Sequence, residues 1–281
     1  MDIVDAQIHL FLTMDIDACL AAMNSMGIQA ALIDEFWGYE GDHPLPGHLT
    51  SHGVFRPTAP GAMMASMKYP ERFSWLLRID PRDADFNNIV SSVKSSPHGR
   101  ALRLEARSTS EVENLADLGC IDFFRAAMRH SLPVFILSPG NSKLLVPYFK
   151  ALPDLRVVID HCGLPHKVEE YEDVLALAKF PNVFLKWCHA PRVFGSANYP
   201  FPELSPYLAR TLDAFGPERI MWASDFTAIR VNCTWAESLF YMRDHMGLSA
   251  SDKEWLLGKT ARALLDWPAP EAPSKPVQHK H

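Results

Sequence analysis

The feature that most constrains this chain is an alternation of short apolar runs with stretches of helical period. Ile3-Val4 opens an apolar run to about His9; Ile16, Cys19, Leu20 and Met23 then recur at helical spacing until Gly27 stops them. The same couple returns along the chain. Strands are predicted over 30–33, 73–79, 101–104, 133–137, 155–159, 182–185 and 220–223. Helices are predicted over 85–93, 120–130, 168–178, 202–214, 235–245 and 251–265, with another marked by Leu144, Leu145 and Tyr148. Pro206 belongs in the first turn of its helix, where the missing N–H is no loss. Strands separated by helices pair in parallel and bury both faces. The pattern predicts an α/β fold, a (β/α)8 TIM barrel formed as a single domain over 1–267. The 281 residues suit one barrel of about 250 with additions. A doubly wound sheet is the rival, but no GxGxxG follows the first strand.

Two segments break the alternation. The Gly-, Pro- and His-containing stretch 37–60 is too long for an ordinary connection and is expected to form an active-site lid, with Trp37, Tyr39, His48 or His52 as substrate contacts. The tail 268–281, rich in Pro, Lys and His, is expected to be disordered. Hydrophobic residues are 48% of the chain, enough for a large core. A formal net charge of -6 leaves no basic footprint for nucleic acid, while a local basic pocket for a small anionic substrate remains compatible with it. No run of about 18 apolar residues calls for a membrane. The five cysteines (Cys19, Cys120, Cys162, Cys188, Cys233) are odd in number and scattered, which is neither a disulfide framework nor a metal knuckle. With no positively charged opening segment, a cytoplasmic setting is expected. A homo-oligomer is left open.

Polar residues gather where the predicted strands stop: Asp5, Gln7 and His9; Asp34 and Glu35; Arg78 and Asp80; Arg103 and Glu105; Asp160 and His161; Lys186 and His189; Asp225. In a barrel such positions converge on one pocket. Asp5, Gln7 and His9 alternate, which predicts a shared face. A polar face inside a barrel is costly unless functional or fully hydrogen-bonded. Each residue also has a plain alternative. His9 fits a core histidine satisfied by a neighbour, His161 a loop histidine beside a glycine turn, and Asp225 a helix cap. Arg103 either clamps a substrate carboxylate bidentately or pairs internally with Glu105, Asp160 or Asp5. Lys186 has the same two readings. Met63, Met64 and Met67 fit core or lid packing.

These residues resemble the amidohydrolase superfamily, in particular the amidohydrolase-related group that includes pyrone-dicarboxylate and sugar lactonases. The likeness runs from about Ile3 to Trp267. It rests on Asp5-Ala6-Gln7-Ile8-His9, Asp160-His161-Cys162-Gly163-Leu164-Pro165 and Trp222-Ala223-Ser224-Asp225, with looser matches at Arg100-Ala101-Leu102-Arg103-Leu104 and Asn182-Val183-Phe184-Leu185-Lys186. Two departures stand out. Gln7 replaces the first histidine of the opening motif, and Phe135-Ile136-Leu137-Ser138 offers no histidine at the end of strand five. An amide oxygen is a poor partner for zinc beside imidazole.

The resemblance implies hydrolysis of a lactone or related cyclic ester, with Asp225 as general base and His9 and His161 polarising the carbonyl. Arg103 and Lys186 would hold a substrate carboxylate, with Gln7, Arg78, Trp37 and His52 as further contacts. With two histidines missing, no metal is expected to be required; the alternative is a weakly held divalent metal such as zinc on His9, His161 and Asp225. Non-oxidative, metal-dependent decarboxylation of an aromatic or unsaturated acid is the second reading, and a non-catalytic ligand-binding barrel the third.

Overall fold

The computed structural model describes residues 1–10, 14–38, 45–116, 119–226 and 233–269. Among them the strands are β1 (Val4–Ile8), β2 (Ala30–Asp34), β3 (Gly47–Leu49), β4 (Phe55–Pro57), β5 (Phe73–Arg78), β6 (Gly99–Glu105), β7 (Val134–Leu137), β8 (Val157–Ile159), β9 (Val183–Trp187) and β10 (Ile220–Trp222). The helices are α1 (Ile16–Met26), α2 (Pro60–Lys68), α3 (Phe86–Ser95), α4 (Thr109–Ala116), α5 (Ile121–Arg129), α6 (Val146–Ala151), α7 (Tyr171–Leu175), α8 (Ala190–Val193), α9 (Ser205–Phe215), α10 (Trp235–Phe240), α11 (Ala250–Glu254) and α12 (Thr260–Leu264).

Eight strands form one sheet in the order β1-β2-β5-β6-β7-β8-β9-β10, and its bonded neighbours run parallel. Helices follow the strands, so the fold is the expected (β/α)8 barrel. Local chemistry sets the helix ends. The Asp15 side chain accepts from Ala18 N to start α1, and Gly27, at φ 77°, takes the left-handed turn that ends it. Thr234 and Glu237 form a reciprocal capping box on α10. Gly258 is needed for space: a Cβ there would lie 2.0 Å from the Asp2 carbonyl oxygen, where the chain enters β1.

The period of two along each strand divides the core into layers. Ala31, Ile33, Leu102, Leu104, Ile136 and Ile159 pack outward in the layer beneath the helices. Ala30, Leu32, Leu76, Ala101, Phe135, Val158 and Met221 fill the barrel interior. Continued toward the C-terminal ends, the inward rows reach Asp34, Arg78, Arg103, Asp160, Lys186 and Asp225. The polar cluster is therefore where the inner apolar rows stop.

The seam between β10 and β1 is nearly closed by a mixed set of bonds. Asp225 N donates to Gln7 O at 3.0 Å. The Asp5 carboxylate accepts from Ser224 N (2.9 Å), Ser224 Oγ (2.5 Å) and Trp235 Nε1 (2.8 Å). This corrects the expected shared face of strand one. The register passes from Asp5↔Ala31 to Ile8↔Ile33, three residues against two, so β1 carries a bulge. The extra residue resets the alternation. Asp5 stays on the outer side with Ser224 and Trp235, while Gln7 and His9 line the cavity.

The stretch 37–60, expected to form a lid, holds a hairpin: β3 and β4 pair antiparallel with His48 opposite Arg56. Tyr39 lies outside the described residues, as does the tail beyond 269. The helix expected over 168–178 is α7 flanked by 3-10 turns. Among the described residues no helix is long and apolar enough to cross a membrane.

Candidate active site

A cavity of about 470 Å³ opens at the C-terminal ends of the strands, and Gln7, His9, His161, His189 and Asp225 line it. Asp225 is its centre. One carboxylate oxygen lies 2.7 Å from His9 Nε2 and accepts from Gln7 Nε2 at 3.1 Å. The other lies 2.7 Å from His189 Nε2 and 3.6 Å from His161 Nε2. The backbone is bent to bring these groups in. His161 (φ 51°), His189 (φ 54°) and Asp225 (φ 48°) all take the left-handed conformation, which ordinary residues adopt at a cost. Strain repeated at the ends of three different strands marks the place where geometry has been kept against backbone preference.

Charge explains how a polar cluster survives burial. Arg103, only 2% exposed, pairs with Asp34 and with Asp160, the latter at 2.9 Å. Arg78 binds both oxygens of Asp34 at 2.7 Å and Glu105 at 2.5 Å. Lys186, fully buried, pairs with Asp160 at 2.5 Å. Three cations thus face three carboxylates. Burial alone would raise the pKa of Asp34, but Arg103 and Arg78 hold it far below the usual carboxylate range. Asp225 stands apart, because among the described residues its ion-pair partners are all imidazoles. Burial works to raise its pKa too, and His9 and His189 hold it well below the ordinary value. For His161, burial together with Lys186 and His189 disfavours the imidazolium form.

Gln7 is oriented by its neighbours. Lys186 Nζ can only donate, and it donates to Gln7 Oε1. The amide nitrogen must therefore face Asp225 and His9. Gln7 supplies a hydrogen-bond donor, and its oxygen is not presented to the cavity centre.

The donor set suits a divalent cation. His9 Nδ1 lies 2.6 Å from the Asp34 carbonyl oxygen and donates to it, which leaves Nε2 facing an Asp225 oxygen. That arrangement needs positive charge between the two, and a ligating histidine typically spends its other N–H in this way. On the far side, donor atoms of His161, Cys188, His189 and Asp225 all lie within 4.8 Å of one another. Imidazole, thiol and carboxylate together form a zinc-type set. His161 Nδ1, moreover, is buried with no hydrogen-bond partner among the described residues. The expectation that no metal is required gives way to its alternative, a divalent metal, which this donor cluster favours. Replacements for the missing histidines come from the end of β9, where Cys188 continues the inward row of Phe184 and Lys186. Burial and the Asp225 charge push the Cys188 thiol well above its ordinary pKa, so binding through sulfur requires the ion to displace a firmly held proton.

The structure brings His9, His161, Asp225, Gln7, Arg78 and Arg103 to this cavity, with Lys186 beneath it. Arg103 is committed to Asp34, which was not expected, and to Asp160, one of the internal partners offered above, and so is not a free clamp. Arg192 on α8 lines the cavity and meets no carboxylate among the described residues. Trp37 and His52 are not brought in. Trp37 is 53% exposed and donates to Glu35 at 2.9 Å, and His52 sits exposed at the tip of the hairpin. Sequence reasoning named His189 among the strand ends but gave it no role. Its position one residue past the inward Cys188 was the signal available.

The comparisons agree with this geometry. A family model described as Amidohydrolase matches residues 93–267. The L-fucono-1,5-lactonase of Burkholderia ambifaria is 25% identical over 162 residues, and the match spans only about half of either protein, 54% of each. A zinc-bound amidohydrolase from Burkholderia multivorans superposes with a TM-score of 0.73 at 16% identity, covering 95% of this chain and 100% of that one. The 5-carboxyvanillate decarboxylase of Sphingomonas paucimobilis superposes with a TM-score of 0.63 at 13% identity, covering 94% and 99%. At such identities the structures speak for the fold. The family model, matching well over half of the sequence on the strands that carry His161, His189 and Asp225, makes this chain a member of the amidohydrolase family.

Proposed function

We propose that the protein is a metal-dependent enzyme acting on a small carboxylated substrate, and that its reaction is non-oxidative decarboxylation. The observation that carries this is the convergence of His9, His161 and His189 on Asp225, a buried carboxylate whose ion-pair partners among the described residues are all imidazoles. Unmatched buried charge costs several kcal/mol, and a divalent cation relieves it. His9, His161, His189 and Asp225, with Cys188, would hold that ion. When bound, it supplies Lewis-acid stabilisation of negative charge on the substrate.

The chain's own residues support the rest. Arg192 is placed to bind a substrate carboxylate, and Arg107 stands at the rim, shared with Glu105 at 2.8 Å. Decarboxylation breaks the bond between the carboxyl carbon and its neighbour, leaves the electron pair on the neighbour, and replaces carbon dioxide by a proton. It needs a proton donor and no general base. That matches a site where each oxygen of Asp225 already meets an imidazole at 2.7 Å. The proton enters through the cavity mouth at the strand ends, because His161 would hold the ion and burial disfavours its imidazolium form. The similarity to a decarboxylase of the same fold supports decarboxylation over ring opening.

Lactone opening is the second reading, favoured by the lactonase that the chain matches in sequence. The test is elemental analysis of protein purified without chelator, then assays of aromatic acids and lactones before and after metal removal. Stoichiometric metal, with carbon dioxide released and activity lost on chelation, is the expected result. Ring opening with net uptake of water would establish the second reading, and activity indifferent to chelation would overturn metal dependence.

A further inference from the structure

The β3–β4 hairpin roofs a second chamber that the reaction above does not use. Its volume is about 520 Å³; Phe55, Pro57, Ile79, Leu104 and Leu115 form an apolar side, and the charged Asp80, Arg82 and Glu111 line it as well. The roof is fastened down. Arg56 on β4 binds both oxygens of Asp83 at 2.7 Å and reaches Asp85 at 3.3 Å. The hairpin is thereby held over the β5 and β6 ends without filling the space beneath it. Arg78, Arg103 and Glu105 line this chamber and the catalytic cavity alike, so the two volumes share one wall.

We propose that the substrate is bipartite, with a carboxylated head in the catalytic cavity and an aromatic or branched aliphatic tail in the chamber under the hairpin. The assignment of the head rests on the proposed function; that of the tail rests on the chamber. Each part follows from chemistry. Phe55, Leu104 and Leu115 give the chamber an apolar side against which a ring or branched chain leaves water, with Asp80, Arg82 and Glu111 on its charged side. A separate ligand is disfavoured by the shared wall, which places the chamber directly beside the cavity. The atoms crossing the wall meet Arg78 and Glu105, whose 2.5 Å ion pair presents a cation and a carboxylate side by side. A short polar link such as a hydroxyl, ether or amide suits that crossing. The two volumes are each large enough for one ring.

The experiment uses the zinc-loaded full chain, with benzoate and its meta- and para-phenyl derivatives as probes. Calorimetry gives the affinities, and crystal structures give the place of the second ring. We expect at least one phenyl derivative to bind about tenfold or more tighter than benzoate, since the added ring leaves water for an apolar wall. Its ring should lie against Phe55 and Leu115. Phe55→Asp, a change on the hairpin away from the barrel core, should remove that gain and leave benzoate affinity unaltered. Phe55→Ala should reduce the gain in part, and it serves as the folded control. Equal affinities, a second ring placed elsewhere, or a gain that survives Phe55→Asp would overturn the proposal, as would failure of all three acids to bind. Metal content and chelation-sensitive turnover report on the reaction separately, so loss of one conclusion is distinguishable from loss of the other.

Discussion

Asp5 and Asp225 share a neighbourhood and have opposite electrostatics. Asp225 is drawn down by imidazoles, whereas burial pushes Asp5 up to about 6 against four hydrogen bonds. For Asp5 the folded chain binds a proton more tightly than the unfolded chain does. Between about pH 4 and pH 6 stability should therefore fall as pH rises, by up to roughly 3 kcal/mol in all. Asp34 behaves in the reverse sense: its contribution is present above about pH 4 and lost only in stronger acid. Denaturant titrations of wild type and Asp5→Asn across this range should differ in slope between pH 4 and 6, and parallel curves would remove Asp5 as the cause. Lys186 makes a second case. Lys186→Met leaves one oxygen of Asp160, whose other oxygen stays with Arg103, and the Gln7 oxygen without their buried cation and should cost about 3 kcal/mol, read from the urea midpoint. Legibility at this scale followed the strand ends. His9, His161 and Asp225 were visible because inward rows end in polar residues. The orientation of Gln7 was not, because it depends on Lys186, distant in sequence and reached only across the barrel.

Among the elements, the barrel strands and long helices were legible because apolar period and burial agree. The β3–β4 hairpin was not. Its strands are three residues each and exposed or half-buried, too short to show alternation. The β1 bulge was equally hidden, since Asp5-x-Gln7-x-His9 alternates perfectly in sequence and only pairing with β2 reveals the added residue. The hairpin yields its own prediction. Removing the clamp with Arg56→Ala should speed proteolytic cleavage within 47–57 and leave the melting temperature nearly unchanged, because the clamp ties a roof to the barrel and not the barrel to itself. A matching fall in melting temperature would instead place the hairpin in the cooperative core.

For the whole molecule, the proposed metal ties its binding to the fold. An ion bound by groups from β1, β8, β9 and β10 binds the folded chain alone, so zinc at about a hundred times its dissociation constant should add roughly 2.7 kcal/mol of stability. For a chain of this size that corresponds to about 5 °C in melting temperature, reversed by chelator. Asp225→Asn should abolish the shift, since it removes the carboxylate on which both donor groups converge. An unchanged shift in that variant would place the ion elsewhere.

The seam between β10 and β1 has a kinetic consequence. The contacts that fasten Ser224 and Asp225 to Asp5 and Gln7 join residues 218 or 219 apart, so closing it requires the two ends of the barrel to find each other. Such a closure is entropically demanding and favours late assembly. The same step delivers Asp225 to His9. During refolding, secondary structure should therefore regain its native signal before the chain can capture zinc, and the Ser224 and Asp225 amides should be among the last in the barrel to gain protection from exchange.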